Sequence, residues 1–455
     1  GAVLASPDMK MVFIYLRNDA RYASFTVRKV FLNDDVTKNS KLAGGAKIEA
    51  GNIGIVKVDF KSPVRPMTLF NVRVDAYCSY GEVETVGAPV RILKPGFVLG
   101  TWHSEMSSSD DEMQLARRFQ LDATIGGSDR KLNDSMTGRY FIKNIAHAMR
   151  GKPGRPDPEI LKQNTGNDNV IAWLLQDEPD LHFTPSREMF DAYAGFRDRM
   201  VTQPVYLNLC KDFGFNEYGN FTDVIGMDHY VMYAPNSIPY TGEKHDGKWR
   251  RAEMFEAMDY TDMLKKNTEP KPMWVWAQLL ADWPRMPTAW GVNVQFWSHV
   301  MSGTKGILWF LLRGEYAAKY PEQMAEAERV TRQFSQIRDA VYYGESIDSL
   351  KVSDPRIRAR AIVGWNYVII IVVNMNYDDK KGYPALPEYR PAETEATITF
   401  KLPSWINADE RVEILPEGRV DLPGEAVREG VFEMPVKVMS NRVFLISELD
   451  LFPPD

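Results

Sequence analysis

The stretch VIAWLLQDEPDLHF, residues 170–183, joins an apolar run directly to three acidic residues. The run from Val170 to Leu175 has the composition of a buried strand. Asp177, Glu178 and Asp180 follow it at once, although ionised carboxylates are rarely found beside a core without a partner. Either the chain simply reaches the surface here, or the strand serves to hold a carboxylate in place.

Seven further short apolar runs alternate with helical patterns along the middle of the chain. The eight runs cover residues 97–102, 121–127, 140–146, 170–176, 204–209, 223–230, 273–280 and 306–312. Eight β/α units over roughly 250 residues match a (β/α)8 barrel in number and in size. The rival is an open doubly wound sheet, which would more often carry a glycine-rich first turn; GTWHSE after the first run has no such turn.

Both flanks of this region have the period-two alternation of antiparallel strands. Val72, Val74 and Ala76 fall on one face of the first flank, and Ile398 and Phe400 do so in the second. The sequence therefore predicts a multidomain α/β protein: an N-terminal β-sandwich (1–95), a central (β/α)8 TIM barrel (96–345) and a C-terminal β-sandwich (346–455).

Composition limits the classes of function. The 455 residues carry a net charge of −6, with basic residues scattered, which argues against nucleic acid. No run approaches the ~18–20 apolar residues that span a bilayer. Cys78 and Cys210 lie far apart and are expected to be free thiols. The opening GAVLASPD is compatible with a removed signal peptide, so a secreted, periplasmic or cell-surface protein is expected, of unspecified oligomeric state.

The residues that close the eight runs are rich in carboxylates and aromatic rings. In a barrel of this kind, the carboxyl ends of the strands form the active-site face. Two carboxyl groups with flat aromatic faces suit cleavage of a glycosidic bond. Glycine-rich phosphate loops and dense zinc-ligand sets do not occur, so no metal or cofactor is expected. The candidates are His103, Glu105, Asp177, Glu178, Asn208, Asp228, His229, Tyr230, Trp276, Gln278, Trp309 and Arg313.

QDEPD, after the fourth run, resembles the Asn-Glu-Pro signature of clan A glycoside hydrolases, with Asp177 at the Asn position. The resemblance implies that Glu178 is the general acid/base. DVIGMDHYVMY, PMWVWAQLL and GTKGILWFLL resemble strands six to eight of bacterial glycoside hydrolases of this kind, which have a similar sandwich, barrel and sandwich plan.

The chain departs from that family at strand seven. The resemblance implies a nucleophilic Glu there, but Gln278 stands at about that position. Asp228 is then the best second carboxylate, as base or nucleophile, with Glu315 and Glu105 in reserve. A carboxyl separation of about 5–5.5 Å would predict retention of configuration, and about 6.5–9.5 Å inversion.

Each candidate also has a structural interpretation. Asp177 and Glu178 could cap a helix, and Asp228 could accept a hydrogen bond from His229 or Tyr230. The remaining alternatives are core positions for Trp276 and Trp309, an Arg313–Glu315 ion pair instead of a clamp on an acidic sugar, and surface positions for Asp180 and His182.

These observations predict a glycoside hydrolase acting on a polysaccharide or oligosaccharide, with Glu178 as general acid/base and Asp228 as second carboxylate. The alternative is a non-catalytic carbohydrate-binding barrel, which Gln278 favours. A third hypothesis is a structural or adhesive surface protein.

Overall fold

The computed structural model describes most of the chain. The described residues are 1–37, 40–102, 110–125, 143–147, 156–164, 166–199, 201–230, 244–245, 248–249, 256–280, 286–375, 392–406, 412–415, 427–428, 430–438, 440–446 and 451.

The N-terminal part is formed by antiparallel strands in two sheets. The strands are β1 Val3–Ala5, β2 Met11–Arg17, β3 Phe25–Leu32, β4 Asp35–Val36, β5 Ser40–Leu42, β6 Lys47–Ile48, β7 Ile53–Asp59, β8 Leu69–Cys78 and β9 Val83–Arg91. One sheet has the order β1-β2-β7-β5 and the other β4-β3-β8-β9, with β6 paired to β3. Residues of both sheets, including Val12, Val56, Val30 and Val74, share one hydrophobic cluster. The two sheets are therefore held together by burial of their facing apolar sides.

The middle of the chain builds an eight-stranded parallel sheet. Its strands are β10 Val98–Trp102, β11 Ala123–Ile125, β12 Lys143–His147, β13 Val170–Asp177, β14 Val205–Leu209, β15 Val224–Met227, β18 Trp274–Gln278 and β19 Gly306–Phe310. Each of the eight predicted runs overlaps one of these strands, and β12 and β13 each extend one residue beyond the run. The order is β15-β14-β13-β12-β11-β10-β19-β18. A parallel bridge between Ile225 and Met273 joins the two ends of that order, so the sheet closes on itself.

Helices follow most of these strands. They are α1 Asp110–Arg118, α2 Pro158–Asn164, α3 Ser186–Asp198, α4 Asp212–Tyr218, α5 Glu256–Thr268, α6 Ala289–Met301, α7 Gly314–Lys319, α8 Pro321–Ser335 and α9 Arg338–Tyr343. The two short strands β16 Lys244–His245 and β17 Lys248–Trp249 pair with each other. Among the described helices, none has the length and apolar composition needed to span a membrane.

Side chains inside the closed sheet form a cluster of their own. Leu174, Tyr206, Trp276 and Leu308 belong to it. Gly226 leaves the room that this cluster needs, because a Cβ atom there would lie 2.0 Å from the Tyr206 hydroxyl. The interior of the closed sheet is thus filled with large side chains below the edge where the acidic residues lie.

The C-terminal part again contains antiparallel strands. They are β20 Glu345–Ile347, β21 Lys351–Val352, β22 Ile357–Val363, β23 Val368–Asn374, β24 Thr394–Lys401, β25 Val412–Leu415, β26 Val427–Arg428, β27 Val431–Val438 and β28 Asn441–Ile446. They form sheets of order β20-β22-β23-β28-β25 and β21-β24-β27-β26. One hydrophobic cluster joins these sheets to the helices around the closed sheet, with Phe334 and Ile369 among its members.

Glu345 links the N-terminal sheet to the helical layer. Its side chain is 1% exposed, pairs with Lys265 of α5, and lies 3.6 Å from the Arg17 guanidinium. Burial alone would raise the pKa of Glu345, but Lys265, the N-terminal amino group and Lys305 together lower that pKa to about 2. The carboxylate is therefore ionised at this junction across the physiological range of pH.

Candidate active site

A β-bulge in β13 brings the acidic pair to the edge of the sheet. Leu174 pairs with Tyr206, but the next partners are Asp177 and Asn208, so β13 carries one extra residue. A bulge of this kind re-aims the side chains that follow it. Glu178 then adopts a positive φ of 45°, a conformation that costs free energy for a residue other than glycine. The two consecutive carboxylates are thus set by an irregular backbone.

Asp177 is held by the neighbouring strand. The Asn208 Nδ2 atom donates a hydrogen bond of 3.0 Å to the Asp177 carboxylate. Burial raises the pKa of Asp177 to about 6, the Asn208 hydrogen bond opposes this rise, and the Glu178 charge adds to it. Asp177 therefore changes its charge near neutral pH. Asn208 thus contacts Asp177, and its role in binding substrate stays a prediction.

Asp228 lies next to Glu178 at the end of β15. Their carboxyl oxygens are within 4.8 Å of each other, and the two groups are close enough to share a proton. Asp228 is 8% exposed, and its Oδ1 atom has no hydrogen-bond partner among the described residues. Burial, followed by the charge of Glu178, raises the pKa of Asp228 well above its ordinary value. Asp228 is therefore the member of the pair that retains a proton.

The Cys210 thiol completes a group of three possible metal ligands. Its sulfur and the carboxyl oxygens of Glu178 and Asp228 all lie within 4.8 Å of one another. Burial and nearby carboxylates raise the pKa of this thiol, so the proton-bearing form is favoured. A divalent cation would require both that proton and the proton of Asp228 to leave. The three side chains could bind such an ion. While the Cys210 thiol and the Asp228 carboxyl group keep their protons, however, these two groups carry no negative charge to attract it.

Asp180 is buried, and the expectation that it lies on the surface is wrong. Its side chain is fully buried and accepts hydrogen bonds from the backbone N–H groups of Cys210 at 3.0 Å and Lys211 at 2.7 Å. Gly214 is adjacent, and a Cβ atom there would lie 2.7 Å from the Asp180 carboxylate. Asp180 therefore fastens the loop after β13 to the loop after β14. His182 is exposed, as expected.

Trp276 belongs to the interior of the closed sheet. It is 1% exposed, and its Nε1 atom donates a hydrogen bond of 2.8 Å to the Tyr206 hydroxyl. The half-buried Trp102 ring lies above it, with the ring centroids 5.7 Å apart. Tyr230 stacks on Phe310 with a centroid distance of 5.3 Å. Trp102 and Phe310 were not among the predicted site residues, although each is the last residue of a strand of the parallel sheet.

Gln278 ends β18 and is fully buried. Its backbone N–H donates a hydrogen bond of 3.1 Å to the side chain of Gln295 in α6. Counted along the chain, the seventh strand of the parallel sheet thus ends in an amide, and Glu178 and Asp228 follow the fourth and sixth strands.

Two predicted site residues, His229 and Trp309, face away from Glu178 and Asp228. His229 stacks on Tyr260 of α5 with a centroid distance of 3.7 Å, and its Nε2 atom lies 3.6 Å from the Glu256 carboxylate. Trp309 is fully buried and stacks on Phe296 of α6 at 5.7 Å. Both side chains occupy the layer between sheet and helices, so neither is placed to contact a sugar at the edge.

Three predicted site residues remain: Arg313, His103 and Glu105. Arg313 is half-exposed, and its guanidinium is 3.4 Å from the exposed Glu315 carboxylate, which is the ion-pair alternative. His103 and Glu105 lie outside the described residues.

Comparison with models of known protein families gives no match, and neither does comparison with curated proteins. The fold is similar to that of several glycoside hydrolases of solved structure. An endoxylanase of family GH30 from Clostridium papyrosolvens C71 is 12% identical, with a TM-score of 0.46 and coverage of 78% of this chain and 97% of that one. A provisionally assigned alpha-galactosidase from Bacteroides fragilis NCTC 9343 is 9% identical, with a TM-score of 0.49 and coverage of 99% and 98%. A family 30 subfamily 8 xylanase from Clostridium acetobutylicum is 10% identical, with a TM-score of 0.43 and coverage of 78% and 98%.

Proposed function

We propose that this protein is a glycoside hydrolase that cleaves O-glycosidic bonds of a polysaccharide or oligosaccharide. The closed sheet and its helices would be a catalytic (β/α)8 barrel over residues 96–345, between β-sandwich domains at 1–95 and 346–455. The observation that carries the proposal is the Glu178–Asp228 carboxyl pair at the carboxyl edge of the parallel sheet, within 4.8 Å. That edge is where barrels of this kind place their catalytic groups.

The pair supplies the proton that glycoside cleavage requires. Glu178 is half-buried, whereas Asp228 lies deeper, so Glu178 is the group that a substrate can reach. The proton that Asp228 retains first moves to Glu178, and Glu178 then delivers it to the leaving oxygen as the glycosidic bond breaks. The pair is then more negative, which stabilises the positive charge on the sugar ring in the transition state.

The separation of the pair supports retention of configuration over inversion. Inverting enzymes keep their carboxyl groups about 6.5–9.5 Å apart because a water molecule must fit beside the sugar. Oxygens within 4.8 Å of each other fall short of that separation. Asp228 becomes a competent nucleophile only after its proton has moved to Glu178, because the protonated carboxyl attacks poorly.

A second candidate function is carbohydrate binding without cleavage. Gln278 favours it, since the buried amide at the end of β18 cannot form a glycosyl ester. The two functions differ in whether Glu178 is needed for bond cleavage. Secretion, whether to the periplasm, the cell surface or the medium, stays a prediction.

The deciding experiment is reducing-sugar release from a broad panel of polysaccharides and oligosaccharides by the parent protein and by Glu178→Gln. Removing a general acid should lower kcat by roughly 10²–10⁴-fold. Glu188→Gln is the matched control, because Glu188 is exposed on α3. Release that survives Glu178→Gln would refute the acid assignment. Binding of a glycan without release by the parent would favour the second candidate.

A further inference from the structure

Two exposed phenylalanines lie side by side at the carboxyl edge of the sheet. Phe183 is 79% exposed and Phe213 is 50% exposed. Their ring centroids are 6.4 Å apart, and the ring planes differ by only 12°. The two rings therefore present nearly parallel apolar faces at the surface.

The exposure of Phe183 is costly to the fold. An exposed aromatic ring forgoes the stabilisation that burial would give. Phe183 also has a positive φ of 49°, where glycine or asparagine would be less strained. One residue thus carries two unfavourable features, which is typical of a binding site.

Both rings are tied to the acidic site. Phe183 follows Glu178 by five residues, in a turn closed by a 2.8 Å hydrogen bond from Thr184 N–H to the Pro179 carbonyl. Phe213 is the second residue of α4, which directly follows the loop that Asp180 holds through the N–H groups of Cys210 and Lys211. The side chain of Asp180 therefore connects the two segments that carry the rings. Their relative placement is preorganised.

The pair is suited to a small flat ligand. Specific protein–protein interfaces bury at least about 1,000 Å² in total, far more than two phenyl rings offer. A pyranose ring has an apolar C–H face of about the size of a phenyl ring. Phenylalanine offers no hydrogen bond, so the recognition would be through stacking alone.

We propose that Phe183 and Phe213 form a stacking platform for a sugar unit that lies outside the cleaved bond. This inference rests on the proposed function and narrows the substrate to a glycan long enough to reach from Glu178 to the rim. A platform of this kind improves binding of long substrates and leaves the chemistry at Glu178 unchanged.

The test compares the parent with Phe183→Ala, Phe213→Ala and the control Phe190→Ala. Phe190 is also exposed, at 45%, but belongs to α3 and packs edge-on against Phe221. Migration of each protein, in the Glu178→Gln background, is measured in native gels cast with a β-glucan, a xylan, a galactan, a pectin or a glycosaminoglycan. We then measure kinetics with Glu178 intact. The substrates are the polymer that slows migration in the gel, oligosaccharides of that polymer of increasing length, and aryl glycosides of its sugar.

Loss of either platform ring should raise KM for the longer oligosaccharides roughly 10-fold, a change consistent with the loss of one aromatic contact. The kcat value and the kinetics on aryl glycosides should stay at the parental level, as should all kinetics of Phe190→Ala. Equal KM values for the parent and both platform variants at every length would overturn the platform while leaving the proposed function intact. Absence of both retardation and cleavage in the parent would instead reject the proposed function, and the platform with it.

Discussion

The carboxyl oxygens of Glu178 and Asp228 lie within 4.8 Å of each other, although the two residues come from strands that are separated by β14. The pair exists because both strands end at the same edge of a parallel sheet. At this distance the charge of Glu178 raises the free-energy cost of ionising Asp228.

Replacing Asp228 with Asn should stabilise the fold above neutral pH while lowering activity. The folded-state pKa of Asp228 is raised, so its destabilising effect grows as pH rises above its unfolded-state pKa. Asn removes that effect, so we expect a gain in the free energy of unfolding at pH 8 and little gain at pH 4. Thermal unfolding at the two pH values measures it, with the exposed Asp198→Asn as control. A loss of stability at pH 8 would show that Asp228 is ionised and compensated.

Asp177→Asn should also stabilise the fold, and its effect should develop over a narrower range of pH. The pKa of Asp177 is raised to about 6 in the folded protein, above its ordinary value of 3.8. The parent should therefore lose stability between about pH 4 and 6, by up to roughly 3 kcal/mol, and stay level above that range. The free energy of unfolding, measured with a chemical denaturant at pH 4, 5, 6 and 7, should depend less steeply on pH in the variant than in the parent. An unchanged slope would contradict the assignment.

Asp180 and Gly214 should be coupled in a double-mutant cycle. Asp180→Ala removes the carboxylate that accepts from the Cys210 and Lys211 N–H groups and should cost about 2–4 kcal/mol. Gly214→Ala alone should cost about 1–3 kcal/mol, because its methyl group would press on the Asp180 carboxylate. In the Asp180→Ala background the methyl group has room, so the second change should cost less. Urea unfolding of the four proteins gives the coupling, and additive costs would argue against the contact.

Glu345→Gln should weaken the junction between the N-terminal sheet and the helical layer. Removing one partner of a buried ion pair costs about 3–5 kcal/mol. The pKa of Glu345 is lowered to about 2, so its contribution is fully present above pH 4.5 and is lost as pH falls toward 2. The stability difference between parent and variant should therefore shrink from pH 6 to pH 3. The exposed Glu217→Gln serves as control, and a difference independent of pH would refute the role of the charge.

The sequence predicted the eight strands of the parallel sheet because their apolar runs are short and each is buried on both faces. It could not tell which side of the sheet each residue faces. Leu308 points inward and Trp309 outward, yet both are apolar letters in one run. The same uncertainty led to the wrong expectation for His229, which faces α5. Which residues of such a strand face inward can be told only once the register of the strand with its neighbours is known.

The acidic site was predictable in part for a similar reason. Glu178 and Asp228 each follow an apolar run, so their position at one edge follows from the parallel direction of the strands. The role of Asp180 was hidden, because its partners Cys210 and Lys211 are 30 and 31 residues away. The Phe183–Phe213 stack was hidden too, since the letters give no indication that two loops are fastened together.

The extra residue in β13 has a consequence for how this motif should be recognised in other chains. In a regular strand, adjacent side chains project to opposite faces, so an Asp-Glu dipeptide would deliver one carboxylate to the cavity and the other to the helices. Here the extra residue between Leu174 and Asp177 shifts the alternation of the two faces just before Asp177 and Glu178. A homologue that keeps the five letters QDEPD but lacks one residue upstream would thus present a different set of groups to the cavity. Strand length counted from the last buried Leu, rather than the motif alone, is the feature that identifies a competent site.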